Sequence, residues 1–195
     1  MAYPRKIVNA SDIRVGVWNA LERILGGGFK GSALGTGVSV VESAGKTVVT
    51  FTNTPVATVD ATTNGAQGSL NFYNFPEGLI EYRGGVANLT LTKVGSGITA
   101  TAGIVSSVGS TVAGVDLTLT GTEADFIPSM ATTLAAGTGA ASGVSTTANL
   151  ALFDGTAVAK KAYLNLVVAD AGSTASDSIL INGTVTLSWA YIGDK

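Results

Sequence analysis

The sequence has neither histidine nor cysteine among its 195 residues. Without histidine the chain cannot form a Ser-His-Asp triad, an imidazole general base or a histidine metal site. Without cysteine it has no thiolate nucleophile, no zinc or iron–sulfur ligand and no disulfide. The side chains left for chemistry are carboxylates, lysines and hydroxyl groups.

Charged residues are scarce as well, at 12% of the chain with a net charge of −2. A slightly acidic chain is a poor match for phosphate, so we expect no nucleic acid partner. The charge is unevenly distributed. Residues 1–30 contain five basic and two acidic side chains, a net +3, which leaves −5 for residues 31–195. This asymmetry predicts a basic arm attached to an acidic body.

Long apolar runs are also missing. Residues 94–115 and 126–153 carry no charge, but they are filled with Gly, Ser and Thr, so we expect no membrane helix. No signal-peptide core follows Arg5 and Lys6. A chain with few charges and a positive mean hydropathy of +0.40 suggests a surface hidden in an oligomer or a larger assembly.

The N-terminal segment has a helical pattern over residues 11–25. Its apolar residues Ile13, Val17, Leu21 and Ile24 recur at helical spacing, and the glycines from residue 26 end the pattern. Two interpretations remain open: a short amphipathic helix packed on the main domain, or an arm joined to it by a glycine-rich linker. We assign residues 1–37 to this helical or extended arm.

The remainder, residues 38–195, has the pattern of a β-domain. Residues 46–52, 87–92 and 185–191 alternate apolar or β-branched residues with polar ones. Further strands are predicted over residues 70–72, 79–82, 98–104, 115–120, 148–152, 163–168 and 179–181. The Ala, Gly and Thr content of residues 130–147 predicts a long loop, either an extended surface excursion or a segment that only its neighbours order. Short strands separated by turn residues predict an all-β fold, a β-sandwich of jelly-roll type.

Motifs for catalysis and cofactors are weak. The glycines of residues 26–31 match G-x-G-x-x-G but follow a helical pattern, whereas a dinucleotide site needs a preceding strand. The pairs Glu77/Glu81 and Glu123/Asp125 are consistent with turn and edge residues, and Asp154, Asp170 and Asp177 lack calcium-loop spacing. The aromatic cluster of residues 72–75 fits a core strand better than a sugar platform. We therefore expect no enzyme activity, no metal and no cofactor.

Several segments resemble a known family. They are FPEG at 75–78, LTGTEADFIPS at 119–129, DGTA at 154–157, YLNL at 163–166, and GTVTLSW at 183–189 followed by GD at 193–194. They resemble the capsid decoration, or cement, proteins of tailed bacteriophages over about residues 60–195. The resemblance implies a β-sandwich made in the bacterial cytoplasm. It would bind the major capsid protein on the outside of the virion, commonly as a homotrimer, without catalytic residues.

The basic arm supplies the candidates for the interface with the capsid or a neighbouring subunit. These candidates are Tyr3, Arg5, Lys6, Arg14, Trp18 and Arg23. The cations would provide electrostatic attraction, and Trp18 would provide an apolar anchor of the kind that dominates many interfaces. The alternative function is a carbohydrate-binding or adhesin domain on a phage or cell surface.

Overall fold

A computed structural model describes residues 35–43, 45–62, 65–114, 117–155, 157–170 and 177–193. These ranges contain eleven strands, two short 3₁₀ helices and no α-helix. The strands are β1 (Val38–Ser43), β2 (Lys46–Ala57), β3 (Val59–Thr62), β4 (Gly65–Asn74), β5 (Leu79–Val94), β6 (Gly103–Gly109), β7 (Ile127–Thr133), β8 (Thr138–Val144), β9 (Ala151–Asp154), β10 (Lys161–Ala169) and β11 (Ser178–Gly193). The 3₁₀ helices are Gly121–Glu123 and Thr147–Asn149.

The strands form two antiparallel sheets that pack face to face. Sheet A has the order β1-β2-β11-β5-β8, and β9 pairs with β5 beyond the end of β8. Sheet B has the order β3-β4-β10-β6-β7. The predicted all-β sandwich is therefore confirmed.

The strand order is that of a jelly roll. Eight strands pair in a nested way: β2 with β11, β4 with β10, β5 with β8, and β6 with β7. The first and third of these pairs lie in sheet A, and the other two lie in sheet B. A long hairpin rolled up so that successive pairs alternate between two sheets gives this arrangement.

The core lies between the sheets and is built from alternate residues of the strands. Val185 and Leu187 of β11 are fully buried, as is Val49 of β2, while Thr184 and Thr186 beside them point away from the core. This is the period of two that the sequence shows. Phe72, Tyr73 and Phe75 are also buried, so the prediction that residues 72–75 belong to the core is confirmed.

The predicted long loop over residues 130–147 is wrong. It contains the end of β7, all of β8 and a tight turn between them. Ala135 and Thr138 exchange two backbone hydrogen bonds of 2.8 and 3.1 Å, and Ala136 and Gly137 between them have φ angles of 51° and 86°. Two positive φ angles in succession define a type I′ hairpin turn, which Gly at the second position makes accessible.

The strand predicted over residues 148–152 begins only at Ala151, because residues 147–149 form a 3₁₀ helix. Two further predicted strands were wrong or shifted. Residues 117–120 are irregular, and Leu117 has a φ of 57°, which is incompatible with a strand. The strand predicted over residues 98–104 lies later, at β6, because residues 98–101 form a turn. In both cases apolar residues are buried without being part of a ladder: Leu119 packs on Val167, and Ile98 enters the main core.

Candidate functional site

The predicted interface residues Tyr3, Arg5, Lys6, Arg14, Trp18 and Arg23 lie outside the described residues. The structure does describe the surfaces of the β-domain to which such an arm is attached. β1 begins at Val38, directly after the segment assigned to the arm. The two outer faces of the sandwich differ in whether the chain itself covers them.

Around Asn165, the outer face of sheet B is covered by residues 110–114 and 117–126 of the connection between β6 and β7, and this buried asparagine holds them in place. Asn165 of β10 is fully buried. Its Oδ1 accepts hydrogen bonds from Ser69 Oγ at 2.7 Å and from the Ala113 N–H at 3.0 Å. Its Nδ2 donates to the carbonyls of Thr111 at 2.9 Å and Glu123 at 2.8 Å. One side chain thus satisfies polar groups at both ends of the loop.

Apolar contacts complete this cover. Ala113, Leu119 and Val167 form a small buried cluster, with Val105 and Leu117 packed against it. Val167 belongs to β10 but is separate from the main core, because it points outward from the sandwich. A partner that approached sheet B at this position would therefore contact the loop and not the strands.

The outer face of sheet A, in contrast, carries a row of exposed valines. The strand register aligns Val41 of β1 with Val48 of β2, Val48 with Thr186 of β11, Thr186 with Val86 of β5, and Val86 with Val144 of β8. We call these five residues the valine row. Val41, Val86 and Val144 are 66%, 43% and 60% exposed. Neighbouring strands lie about 4.8 Å apart, so the row is roughly 19 Å long.

The surroundings of the valine row carry almost no charge. The next row along the strands consists of Ser39, Thr50, Thr184, Asn88 and Ser142, all uncharged. On the other side, Lys46 lies level with Ser188 and Gly84. Arg83 and Glu81, on β5, neutralise each other through a contact of 2.6 Å. An apolar stripe in a polar but uncharged surface is typical of a protein contact.

The valine row ends in a shallow cleft of about 350 Å³. Its lining includes Thr186, Val86 and Val144 of the row, together with Arg83, Leu150 and residues 145–147. Leu150 is 49% exposed, so the lining also presents an apolar side chain. This volume is at the lower end of the range for small-ligand sites. The lining includes no aromatic ring, which a sugar-binding platform would need.

Hydrogen bonds fix the lining of the cleft. Ser145 Oγ accepts from the Gly85 N–H at 2.7 Å and donates to the Phe126 carbonyl at 2.5 Å. Asn149 Nδ2 donates to the Ala124 carbonyl at 3.1 Å, while its Oδ1 accepts from the Thr146 N–H at 2.9 Å. These hydrogen bonds hold the residues that line the cleft in a defined position.

Several of the acidic side chains considered for catalysis or calcium binding have structural partners. Asp125 accepts from the Ser110 N–H and Oγ, both at 2.7 Å. Asp177 accepts from the Gly97 N–H at 3.1 Å, and Asp170 accepts from the Thr99 N–H at 2.5 Å. Within the described ranges no three acidic side chains form a metal-binding group. In the same part of the chain, no helix has the length and apolar content of a membrane span.

Two carboxyl groups have a raised pKa because they are partly buried. Burial raises the pKa of Asp125, and the hydrogen bonds from Ser110 offset only part of this effect. Burial also raises the pKa of Glu42, on β1, despite a hydrogen bond from the Tyr73 hydroxyl. The pKa of Tyr82 is raised to about 12, chiefly by burial.

Glu42 gives a prediction on pH and stability. Since its pKa is raised in the fold, its contribution to stability is complete below the unfolded pKa and is lost as pH rises through the folded pKa. We expect Glu42→Gln to raise Tm relative to the unchanged chain at about pH 7 and to leave Tm unchanged at about pH 3.5. Thermal unfolding by circular dichroism at both pH values measures this. The exposed Glu77 provides the control Glu77→Gln, and a lower Tm for Glu42→Gln at both pH values would contradict the prediction.

The valine row was not predicted from the sequence, although the sequence contains a signal for it. The doublets Val40-Val41 and Val48-Val49 break the alternation of apolar and polar residues. In a strand, adjacent residues point to opposite faces, so a doublet places one valine outside the core.

The chain matches no protein-family model, no curated protein and no solved structure.

Proposed function

We propose that this protein is a non-enzymatic structural protein that functions by binding to other protein surfaces. The observation that carries the proposal is the contrast between the two outer faces of the sandwich. The chain covers sheet B with its own loop, whereas sheet A presents an exposed and nearly uncharged valine row. An exposed apolar stripe has a free-energy cost in water that contact with a partner removes.

The resemblance noted in the sequence suggests which assembly this is. We propose a decoration, or cement, protein on the outside of a tailed-phage capsid, with the major capsid protein as partner and the host cytoplasm as the place of synthesis. A cement protein binds the assembled shell in preference to loose subunits. Its binding free energy therefore adds to the stability of the shell by linkage, and no catalytic group is required.

The arm is the proposed contact with the capsid. Its cations Arg5, Lys6, Arg14 and Arg23 are the main source of the positive charge in residues 1–30, while the rest of the chain is acidic. Tyr3 and Trp18 would add apolar contact area. Exposed ion pairs are individually weak and are screened by salt, so this mode of binding depends on several cations acting together.

The test is a full-length variant in which Arg5, Lys6, Arg14 and Arg23 are all replaced by Gln. We expect its affinity for phage heads assembled without the decoration protein to fall by roughly tenfold or more, since each exposed pair contributes up to about 1 kcal/mol. Co-sedimentation with the heads at low and high salt measures this. The matched control is Lys93→Gln with Lys161→Gln, which removes cations from the β-domain.

Two results would contradict this assignment. If the arm variant decorates heads with unchanged affinity, the cations are not the contact. If affinity does not depend on salt but is lost in Trp18→Ala, the contact is apolar. Heads that do not bind the unchanged protein at any salt concentration would overturn the decoration function itself.

A further inference from the structure

The valine row is a palindrome. From the β1 edge to the β8 edge its residues are Val41, Val48, Thr186, Val86 and Val144, and the order Val-Val-Thr-Val-Val is the same from either end. Thr186, at the centre, belongs to β11, the middle strand of the five in the main order of sheet A. A surface that is symmetric about its central strand is suited to contact with an identical surface.

We propose that a second copy of this chain covers the outer face of sheet A. The two copies are related by a two-fold axis that runs parallel to β11 and passes between their Thr186 side chains. Val48 then faces Val86 of the second copy, and Val41 faces Val144 of the second copy. The contact is isologous, so every interaction occurs twice, and the proposal does not depend on the capsid.

Charge does not oppose this arrangement. The two-fold axis exchanges β2 with β5, and Lys46 of β2 is level with Gly84 of β5. Lys46 of one copy therefore lies over a glycine of the other and does not meet a second ammonium group. The Arg83 guanidinium is already paired with Glu81 at 2.6 Å. Arg83 directly precedes Gly84, so Lys46 approaches an ion pair without net charge and not a lone cation, which a self-association surface requires.

The available area is at the lower limit for a specific interface. The five strands span roughly 19 Å, and the outward-facing run of β11 from Leu180 to Ser188 spans roughly 27 Å. Because β1 and β8 are shorter than this run, the sheet gives at most about 500 Å² per copy, or about 1,000 Å² in total. Two sheets packed face to face align their strands within about 30°, as inside a sandwich.

Leu150 extends the contact beyond the sheet. Leu150 is 49% exposed and lies beside Gly84 of β5, since a Cβ added to this glycine would be 3.7 Å from Leu150 Cδ2. The two-fold axis places Gly84 over Lys46 of the second copy. Leu150 of each copy therefore packs near the aliphatic part of Lys46 of the other. A two-fold pair differs from the homotrimer that the resemblance implies, and the subunit number decides between them.

The first test is the molar mass of the full chain in solution. At about 100 µM, where a contact with micromolar Kd is nearly saturated, we expect sedimentation equilibrium to give twice the chain mass of 19.4 kDa. The double variant Val86→Lys with Val144→Lys should give a single chain, because it buries unpaired ammonium groups. The control Val112→Lys changes another exposed valine, outside the valine row, and should remain paired. A single chain or a trimer for the unchanged protein overturns the proposal, as does a paired double variant.

A second test remains valid if the lysine variant fails to fold. The chain has no cysteine, so Thr186→Cys introduces a single thiol. Facing sheets lie about 10 Å apart, too far for a disulfide, so the reagent is a short bis-maleimide. We expect a covalent dimer from Thr186→Cys and none from Val112→Cys. No cross-link at Thr186, or equal cross-linking at both positions, overturns the proposed axis. Neither test involves a capsid, so failure here leaves the decoration function to its own experiment.

Discussion

Replacing Asn165 by alanine is expected to lower the free energy of unfolding by about 4 kcal/mol, because each buried polar group left without a partner costs roughly 1–3 kcal/mol. Asn165 is fully buried and bonds to Ser69, Ala113, Thr111 and Glu123. Alanine leaves the Thr111 carbonyl without this donor and the Ser69 hydroxyl without this acceptor, whereas the Glu123 carbonyl still accepts from Ser107 Oγ and the Ala113 N–H still donates to Ser69 Oγ. Thermal unfolding should show a Tm lower by roughly 8–16 °C for a chain of this size.

The matched control is Asn88→Ala, which removes the same side chain from the exposed face of sheet A. It should change stability by less than about 0.5 kcal/mol. If both variants unfold at the same temperature, the hydrogen bonds of Asn165 do not hold the loop on sheet B. Other contacts must then keep the loop in place. Hydrogen exchange of the Ala113 amide gives a local measure of the same effect.

Gly183→Ala is expected to destabilise the fold by at least about 4 kcal/mol, through a strained backbone and a steric clash together. Gly183 has a φ of +121° at a register shift in β11. A Cβ at this position would run into the Asn88 carbonyl and lie 3.1 Å from the Leu89 Cα on β5. Relief of the clash requires β11 and β5 to separate in the middle of sheet A. Denaturant unfolding, or loss of soluble protein, measures the effect.

Gly103→Ala is the control for this change. Its Cβ would meet only the Ala169 Cβ, at an ordinary 3.9 Å. Where alanine fits without strain, it stabilises by up to about 1 kcal/mol through the unfolded state. If Gly183→Ala is as stable as the unchanged protein, β11 and β5 can move apart at this point without a large cost in free energy. That result would contradict the prediction.

Local pattern predicted β2 and the C-terminal half of β11, in which β-branched residues recur, but not strands that depend on distant pairing. β8, whose sequence is TGAASGV, has only one β-branched residue before its final valine. It is a strand because it pairs with β5 through seven residues. Likewise, the bond from Trp189 Nε1 to Thr47 Oγ1 joins residues 142 positions apart. No short window of sequence contains that information.

The candidate surface was beyond sequence-based prediction for a related reason. Each of five strands contributes one residue to the valine row, and the row exists only once the register is known. The arm, in contrast, could be proposed from sequence, because its charge and apolar spacing are local. Composition did indicate that some surface is hidden in an assembly, which fits the exposed valines, but it could not locate that surface.

The nested order of strand pairs also affects how the chain can fold. β6 and β7, the innermost pair, are joined by the 17 residues between Gly109 and Ile127, whereas β2 and β11 enclose most of the domain. Once β6 meets β7, the ends of β5 and β8 are held near each other, so their pairing closes a smaller effective loop. Each completed pair lowers the entropy cost of the next one outward. The long-range contacts of the outermost pair, which supports the valine row, are therefore reached through a series of short closures.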